Sequence, residues 1–185
     1  MSVSPLVSLP AFRYHPDPIR SGSVAESKAK CRCCQKTRGF IYAGPVYSEE
    51  ELDEALCPWC IADGSAHEKF EATFVDSEAF AETTPEAVVT EIIERTPGFN
   101  AWQSERWPEC CGEAAAFVAP AGIKEIREQY PRLEGDLMMF IVHEMSISGG
   151  AARKTLESLR RDHSPTAFIF KCLHCDGYPV YVDYL

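Results

Sequence analysis

The stretch that decides the fold is Cys57-Pro58-Trp59-Cys60-Ile61-Ala62-Asp63-Gly64. It places a Cys-x-x-Cys pair on a tight turn, and a second pair lies upstream in Cys31-Arg32-Cys33-Cys34. With 22 residues between the two pairs, the thiols follow the pattern C-x2-C-x22-C-x2-C, which is slightly longer in the middle than usual zinc-ribbon spacing. Two Cys-x-x-Cys turns can supply the tetrahedral ligands of a structural Zn²⁺. The predicted ligands are Cys31, Cys34, Cys57 and Cys60.

Two alternatives accompany this first cluster. Cys33 could replace Cys31 or Cys34 through a shift of register; otherwise it is a spare thiol. The segment Cys57-Pro58-Trp59-Cys60 also resembles a thioredoxin-type redox motif. A thioredoxin fold would place that motif after a buried strand and before a long helix, whereas Glu-rich sequence precedes it here and Asp-Gly-Ser follows. The pattern therefore favours metal binding over redox chemistry.

The composition indicates a cytoplasmic globular protein. The chain has 185 residues, of which 45% are hydrophobic and 25% are charged, as in soluble domains. No apolar run reaches the roughly 18 residues of a membrane span, and the first ten residues lack a signal-peptide pattern. Because cytoplasmic disulfides are disfavoured, the nine cysteines indicate metal or redox chemistry.

The charge is concentrated in one segment. Residues 49–94 contain 14 acidic residues and one lysine, a net charge of −13, while the rest of the chain has a net charge of +3. Such a segment repels phosphate backbones and attracts basic proteins. The alternative is a solvated acidic face that only keeps the protein soluble. The residues predicted to bind a partner are Glu49, Glu50, Glu51, Asp53 and Glu54.

Hydrophobic periodicity predicts an α+β fold in which a zinc-ribbon-like N-terminal unit packs with a helical and β-hairpin C-terminal unit. The expected divisions are an extended arm over 1–30, the zinc-ribbon-like unit over 31–80, and the α+β unit over 81–185. Ser48 is expected to cap a short acidic helix over 49–56. Other helices are predicted from Thr84-Pro85 to Pro97-Gly98 and over 123–129, 133–144 and 148–161. The chain is expected to end in a hairpin over 166–171 and 178–184.

The tip of the predicted C-terminal hairpin carries a second Cys-x-x-Cys pair, Cys172 and Cys175. Cys110 and Cys111 lie about 60 residues earlier and could supply the other half of a second zinc site. Adjacent cysteines rarely bind one metal comfortably, so two free thiols beside an unmetallated hairpin are an equal alternative. No catalytic residue is predicted, because the histidines are scattered and a cysteine nucleophile needs a positioned base.

Several motifs resemble the CbrC family over nearly the whole chain. They are Leu9-Pro10, Tyr14-His15-Pro16-Asp17-Pro18, Gly44-Pro45-Val46-Tyr47, the segment 57–66, Pro97-Gly98-Phe99 with Trp102-Gln103, and the final Cys-x-x-Cys. The resemblance implies a small bacterial cytoplasmic protein associated with colicin tolerance or with immunity to polymorphic toxins. It also implies a cysteine where this chain has Ala115. The fourth ligand of the second site is thus open between Cys110, His174 and none.

The leading hypothesis is a non-catalytic zinc protein that confers toxin immunity or tolerance by binding a basic protein toxin, for example a nuclease, through its acidic surface. Nucleic acid and membranes are not expected partners. One alternative is a zinc-dependent regulatory or nucleic-acid-binding module, suggested by Lys28, Lys30, Arg32, Lys36 and Arg38 around the first cysteine pair. A further alternative is a Cys-x-x-Cys thiol oxidoreductase.

Overall fold

A computed structural model of the chain describes residues 8–103 and 105–185. The prediction of an α+β fold is confirmed, since these residues form seven α-helices and three small antiparallel sheets. The first seven residues of the predicted arm over 1–30 lie outside the described residues. Within the described ranges, no helix is long and apolar enough to cross a membrane.

The elements follow one another along the chain with short helices first and the main sheet last. The α-helices are α1 (Pro18–Ser21), α2 (Pro58–Ala62), α3 (Ser65–Phe70), α4 (Glu86–Arg95), α5 (Ile123–Gln129), α6 (Leu133–His143) and α7 (Gly149–Ser158). The strands are β1 (Val24–Glu26), β2 (Phe40–Tyr42), β3 (Glu109–Cys110), β4 (Glu113–Ala114), β5 (Ala116–Ala121), β6 (Thr166–Lys171) and β7 (Val180–Asp183). A 3-10 turn covers Ser77–Ala79.

The chain divides into two compact units. The first comprises Met1–Ser77 and Val89–Asn100, and the second comprises Glu78–Val88 and Ala101–Leu185. The boundaries at residues 30 and 80 expected from composition remain predictions.

The core of the first unit is built around cysteines as much as around aliphatic side chains. Strands β1 and β2 pair antiparallel, and Ile41 and Tyr42 of β2 are buried. Other buried members of this core are Leu52, Leu56, Ile61, Phe74, Cys31, Cys57 and Cys60. The strands and helices around this core are short, and cysteines lie among its buried apolar side chains.

The predicted acidic helix over 49–56 is wrong: this segment is an irregular loop with a turn at Asp53 and Glu54. The Ser48 hydroxyl accepts the N–H of Glu50 and donates to the Phe70 carbonyl, which holds the chain in a local turn. Glu54 has a φ of 50°, and Leu52 and Leu56 are buried. So short a helix gains little from its own hydrogen bonds, and the carbonyls of Ala55 and Leu56 instead accept the N–H groups of Arg32 and Tyr42.

A buried polar junction secures the chain after α4. The His15 ring donates from Nδ1 to the Pro97 carbonyl at 2.6 Å and accepts at Nε2 from the Ser21 hydroxyl at 2.7 Å. The Gly98 N–H donates to the Tyr42 hydroxyl at 3.0 Å. His15 is therefore a hydrogen-bonding residue of the interior.

The second unit contains a three-stranded antiparallel sheet in the order β5-β6-β7. Strand β6 is buried on both faces. On one face, Phe168 and Phe170 join an aromatic cluster with Trp107, Phe117 and Tyr181. On the other, Ala167 and Ile169 pack with apolar side chains of α5, α6 and α7, including Ile126, Leu137, Ile141 and Leu156. The predicted C-terminal hairpin is the centre of this unit.

One local expectation in the second unit differs from the observed contacts. The helix predicted from Thr84-Pro85 begins at Glu86, and the Thr84 hydroxyl donates to the Glu109 carboxylate. Trp102, which follows this segment, is 39% exposed, and its indole N–H donates to the Thr166 hydroxyl.

We expect Gly98→Ala to destabilise the first unit strongly. A Cβ at residue 98 would lie 1.9 Å from the Phe74 carbonyl oxygen, so the backbone must move. The expected loss is about 3 kcal/mol or more in the free energy of unfolding, measured by urea denaturation. Gly135→Ala is the control, because a Cβ there meets nothing within 4 Å and the position is helical. Equal effects of the two substitutions would contradict the close approach.

His15 predicts a pH dependence of stability. Burial lowers the pKa of His15 from 6.5 to about 4, so the unfolded state binds a proton first as the pH falls. Above pH 6.5 the neutral His15 side chain makes its full contribution to the free energy of unfolding. This contribution decreases by about 1.4 kcal/mol per pH unit as the pH falls from 6.5 to about 4. Hence the stability difference between wild type and His15→Gln should shrink between pH 7.5 and pH 5 in urea denaturation. A difference independent of pH would show that His15 does not titrate in this way.

Candidate metal centres

Two groups of four cysteines have the dimensions of tetrahedral metal sites. The first consists of Cys31, Cys34, Cys57 and Cys60, and the second of Cys110, Cys111, Cys172 and Cys175. Within each group all four Sγ atoms lie within 4.8 Å of one another. A tetrahedron with metal–sulfur bonds of about 2.3 Å has sulfur–sulfur edges of about 3.8 Å. Both groups could therefore hold a metal ion.

The edges of the first group match this value closely. Cys31 and Cys60 lie 3.9 Å apart, Cys34 and Cys57 lie 3.8 Å apart, and Cys57 and Cys60 lie 3.6 Å apart, all measured between Sγ atoms. The grouped sulfurs include those of Cys31 and Cys34, so Cys33 does not replace either of them. The half-buried Cys33 points elsewhere, with its thiol 3.5 Å from the Ser65 hydroxyl.

The two halves of this centre are positioned by local hydrogen bonds. In the first half, Cys31 N–H donates to the Lys36 carbonyl and Gln35 N–H to the Cys31 carbonyl, while Gln35 has a φ of 59°. In the second half, Cys57 is the N-cap of α2, Pro58 is its first residue, and Cys60 lies in the first turn. A Cys-x-x-Cys pair across the start of a helix places both thiols on one side, because residues i and i+3 share a face.

The pKa values of three cysteines in the first group shift in opposite directions. Hydrogen bonding with the Cys57 thiol lowers the pKa of Cys31 to about 4, and the same interaction raises the pKa of Cys57. Burial raises the pKa of Cys60 to about 12. Cys31 is thus the favoured thiolate of the three, and a divalent cation at the centre would favour further ionisation.

Lys69 is a residue of this centre that the sequence patterns did not reveal. Its ammonium group donates to the carbonyls of Arg32 and Cys33 at 3.3 Å each, so it satisfies acceptors on the outside of the first turn. It also lies 5.0 Å from the centre of the Phe70 ring. Lys69 is the single Lys or Arg among the 14 acidic residues of 49–94, and this isolation is the feature of the sequence that could have indicated a specific role.

The second group explains how adjacent cysteines can serve one centre. Cys110 ends β3, and Cys111 and Gly112 form a two-residue hairpin turn with φ values of 56° and 79°. Positive φ at both positions is the geometry of a type I′ turn. This turn redirects Cys111 so that its Sγ lies 4.0 Å from that of Cys110, whereas neighbours in a regular strand point to opposite faces.

The other half of the second centre is the turn between β6 and β7. Cys175 Sγ lies 3.7 Å from Cys110 Sγ, and backbone N–H groups of His174 and Gly177 donate to the sulfurs of Cys172 and Cys175. A Cβ at Gly177 would lie 3.2 Å from Cys175 Sγ and 3.6 Å from Cys110 Sγ, so only glycine leaves the sulfurs uncrowded. These features are consistent with thiolate ligands.

Cys110 lies at the fourth position that the sequence left open, with its Sγ grouped with those of Cys111, Cys172 and Cys175. His174 is engaged elsewhere, because its Nε2 contacts the carboxylate of Glu113 at 2.5 Å. Ala115, where the family resemblance implies a cysteine, is fully buried. The Glu113–His174 contact was not evident from the sequence, since the two residues lie 61 positions apart.

The pKa pattern of the second group parallels the first. Backbone hydrogen bonding from His174 lowers the pKa of Cys172 to about 6, while hydrogen bonding with Cys172 raises that of Cys110 to about 12. The contact with Cys175 raises the pKa of Cys111.

The acidic residues predicted to bind a partner are brought together on the loop next to the first centre. Glu49, Glu50, Glu51, Asp53 and Glu54 are all exposed. Glu50 forms an ion pair with Arg32 at 2.6 Å, and the Arg32 guanidinium also donates to the Glu51 carbonyl at 2.7 Å. The acidic loop is therefore attached to the turn that carries Cys31 and Cys34.

Comparison with known proteins identifies the family. Residues 9–184 match the family described as the uncharacterised protein family UPF0167. A UPF0167 protein of Mycobacterium bovis is 42% identical over 177 residues, which cover 95% of this chain and 94% of the relative. One from Pseudomonas aeruginosa is 41% identical over 169 residues, covering 90% and 92%. No solved structure matches the chain. With this extent of similarity, the chain belongs to the UPF0167 family.

Proposed function

We propose that both cysteine groups bind zinc and that the metal is structural. Tetrahedral sets of four thiolates suit Zn²⁺ or iron, and two Cys-x-x-Cys turns within a ribbon-like unit are typical of structural zinc. Four thiolates complete the coordination sphere and leave no position for a water molecule. The proposed role is therefore to stabilise each unit, and the protein is proposed to be non-catalytic.

We infer that the protein acts as an immunity or tolerance factor that binds a basic bacterial toxin. The observation that carries this proposal is the exposed acidic loop, whose shape is maintained by buried Leu52 and Leu56 and by the ion pair between Glu50 and Arg32. A fixed cluster of like charges attracts an oppositely charged protein over long distances and accelerates its capture. The resemblance to the CbrC family supports the same role.

A basic toxin is the partner that this loop fits best. Enzymes that cleave nucleic acids carry positive surfaces that contact phosphates, and an acidic protein surface can compete for them. A nuclease toxin is therefore the class of partner most compatible with the charges. The proposed place of action is the cytoplasm, where such a toxin would reach its substrate.

A zinc-dependent regulatory or nucleic-acid-binding module is the second candidate, supported by the turn before the acidic loop. Residues 28–38 contain five cations and no acid. The Arg38 guanidinium lies 5.2 Å from the Trp59 ring centre, and that of Arg32 lies 5.9 Å from the Phe70 ring centre. However, Arg32 is paired with Glu50, and the neighbouring carboxylates repel phosphate, which favours a protein partner.

The thiol oxidoreductase alternative receives less support from the geometry. Reactive cysteines have a lowered pKa and are accessible to their substrate. Cys57, the first cysteine of the thioredoxin-like motif, is fully buried, and hydrogen bonding with Cys31 raises its pKa. These properties suit a metal ligand better than a nucleophile.

Zinc content tests the metal proposal. The purified protein is expected to contain about two zinc ions per chain by elemental analysis, without the visible absorption of an iron–thiolate centre. Cys57→Ser and Cys172→Ser should each remove about one zinc, since each removes a ligand from one centre. Cys33→Ser is the control and should retain both metals. A Cys33→Ser protein with one zinc, or stoichiometric iron, would contradict the proposal.

Charge reversal tests the binding proposal. Glu49→Lys, Glu51→Lys and Glu54→Lys combined should reduce the association rate with a basic toxin encoded by a neighbouring gene by at least about tenfold at low salt. They should also abolish protection of cells that express the toxin. The control combines Glu128→Lys, Glu144→Lys and Asp162→Lys, which change the net charge equally at exposed positions of the other unit. Equal effects of both sets would refute a localised acidic interface.

A further inference from the structure

The two cysteine groups differ in their exposure to solvent. In the first, Cys31 and Cys57 are 0% exposed and Cys60 is 2% exposed. In the second, Cys111 and Cys175 are exposed, Cys110 is half-buried, and only Cys172 is buried at 3%. A small oxidant can therefore reach sulfurs of the second group directly, whereas most of the first group is covered by the core.

We propose that the second group is an oxidative modification site, at which a peroxide converts Cys110 and Cys175 into a disulfide with release of the bound metal. The first group stays reduced under the same conditions. Oxidation of cysteine follows thiolate character together with accessibility, and metal-bound thiolates at a surface meet both conditions.

Cys175 contacts both cysteines of the β3–β4 hairpin, and we pair it with Cys110 because these two sulfurs lie within hydrogen-bond distance. The Sγ atoms of Cys110 and Cys175 lie 3.7 Å apart and must approach to about 2.0 Å to form the bond. Cys110 and Cys111 are adjacent in sequence, and a bond between them would strain the two-residue turn. Cys172 is buried and accepts the backbone N–H of His174, which shields its sulfur from an incoming oxidant.

The reaction balances with hydrogen peroxide as the oxidant. The Cys175 thiolate attacks one peroxide oxygen, the O–O bond breaks, and sulfenic acid forms while the other oxygen leaves as hydroxide. The Cys110 thiolate then attacks the Cys175 sulfur, and the sulfenic oxygen leaves as a second hydroxide. Two sulfurs lose two electrons in total, peroxide is reduced to two waters after protonation, and the metal loses two of its four ligands.

The disulfide would replace the metal as a crosslink. Cys110 lies in the β3–β4 hairpin and Cys175 in the turn between β6 and β7, so the new bond joins the same two segments that the metal joins. The second unit should therefore remain folded after oxidation, because the connection between residues 65 positions apart is retained.

The inference rests on the proposed zinc occupancy but is independent of toxin binding. The test uses the purified zinc-loaded protein and hydrogen peroxide. Zinc release is followed by the absorbance of a metal-chelating dye, and the reduced cysteines are mapped by alkylation and mass spectrometry. Elemental analysis before oxidation tests the zinc proposal separately.

The expected result is release of about one zinc per chain, at least tenfold faster than the second zinc. It should coincide with a Cys110–Cys175 disulfide and unchanged circular dichroism, and dithiothreitol with added zinc should restore the starting state. Cys33→Ser should behave as wild type, which excludes the half-buried thiol next to the first group as the oxidised residue.

Equal oxidation of the two groups, or earlier oxidation of the first, would overturn the inference. A Cys172–Cys175 or Cys111–Cys175 disulfide would overturn the proposed pairing. If the protein contains less than two zinc ions per chain, the zinc proposal fails, and the order of alkylation still decides whether the second group is the preferred site of oxidation.

Discussion

The close packing of four cysteine sulfurs is the constraint shared by the two compact units. In each group the Sγ atoms lie within 4.8 Å of one another, a separation that suits four thiolates around one metal ion. In the first group, hydrogen bonding between two of these cysteines lowers the pKa of Cys31 and raises that of Cys57. Under the proposed zinc binding, each metal would crosslink segments whose strands are only two to six residues long.

The two groups have the same ligand set but different surroundings. The first lies in the interior, where Cys31 and Cys57 belong to the core and the surrounding loops carry the charges. The second lies at the meeting point of a tight hairpin and a turn, where two of its sulfurs are exposed. A buried set of thiolates suits a permanent structural role, whereas an exposed set can also respond to the chemistry of the solvent.

Several residues of the motifs that carry the family resemblance make buried contacts in the first unit. His15, Tyr42 and the Pro97–Gly98 peptide meet in one buried junction, where each polar group finds a partner from a distant part of the chain. Gly44 lies against the Tyr42 ring, since a Cβ there would come within 2.5 Å of its hydroxyl oxygen. Segments separated by many residues are thus held by a few hydrogen bonds that tolerate no additional atoms. The acidic loop beside this interior can then keep a defined shape.

The Cys-x-x-Cys turns, the α+β class and the C-terminal hairpin could be predicted from the sequence, because each depends on residues close together along the chain. Cys-x-x-Cys spacing places two thiols on one turn, and the short apolar run within 166–171 is typical of a buried strand. Contacts between residues far apart in sequence bring Cys110 to the second group, place Lys69 over the first turn and hold 49–56 as a loop. In that loop the carbonyls of Ala55 and Leu56 accept the N–H groups of Arg32 and Tyr42, and these long-range hydrogen bonds outweigh the local helix preference.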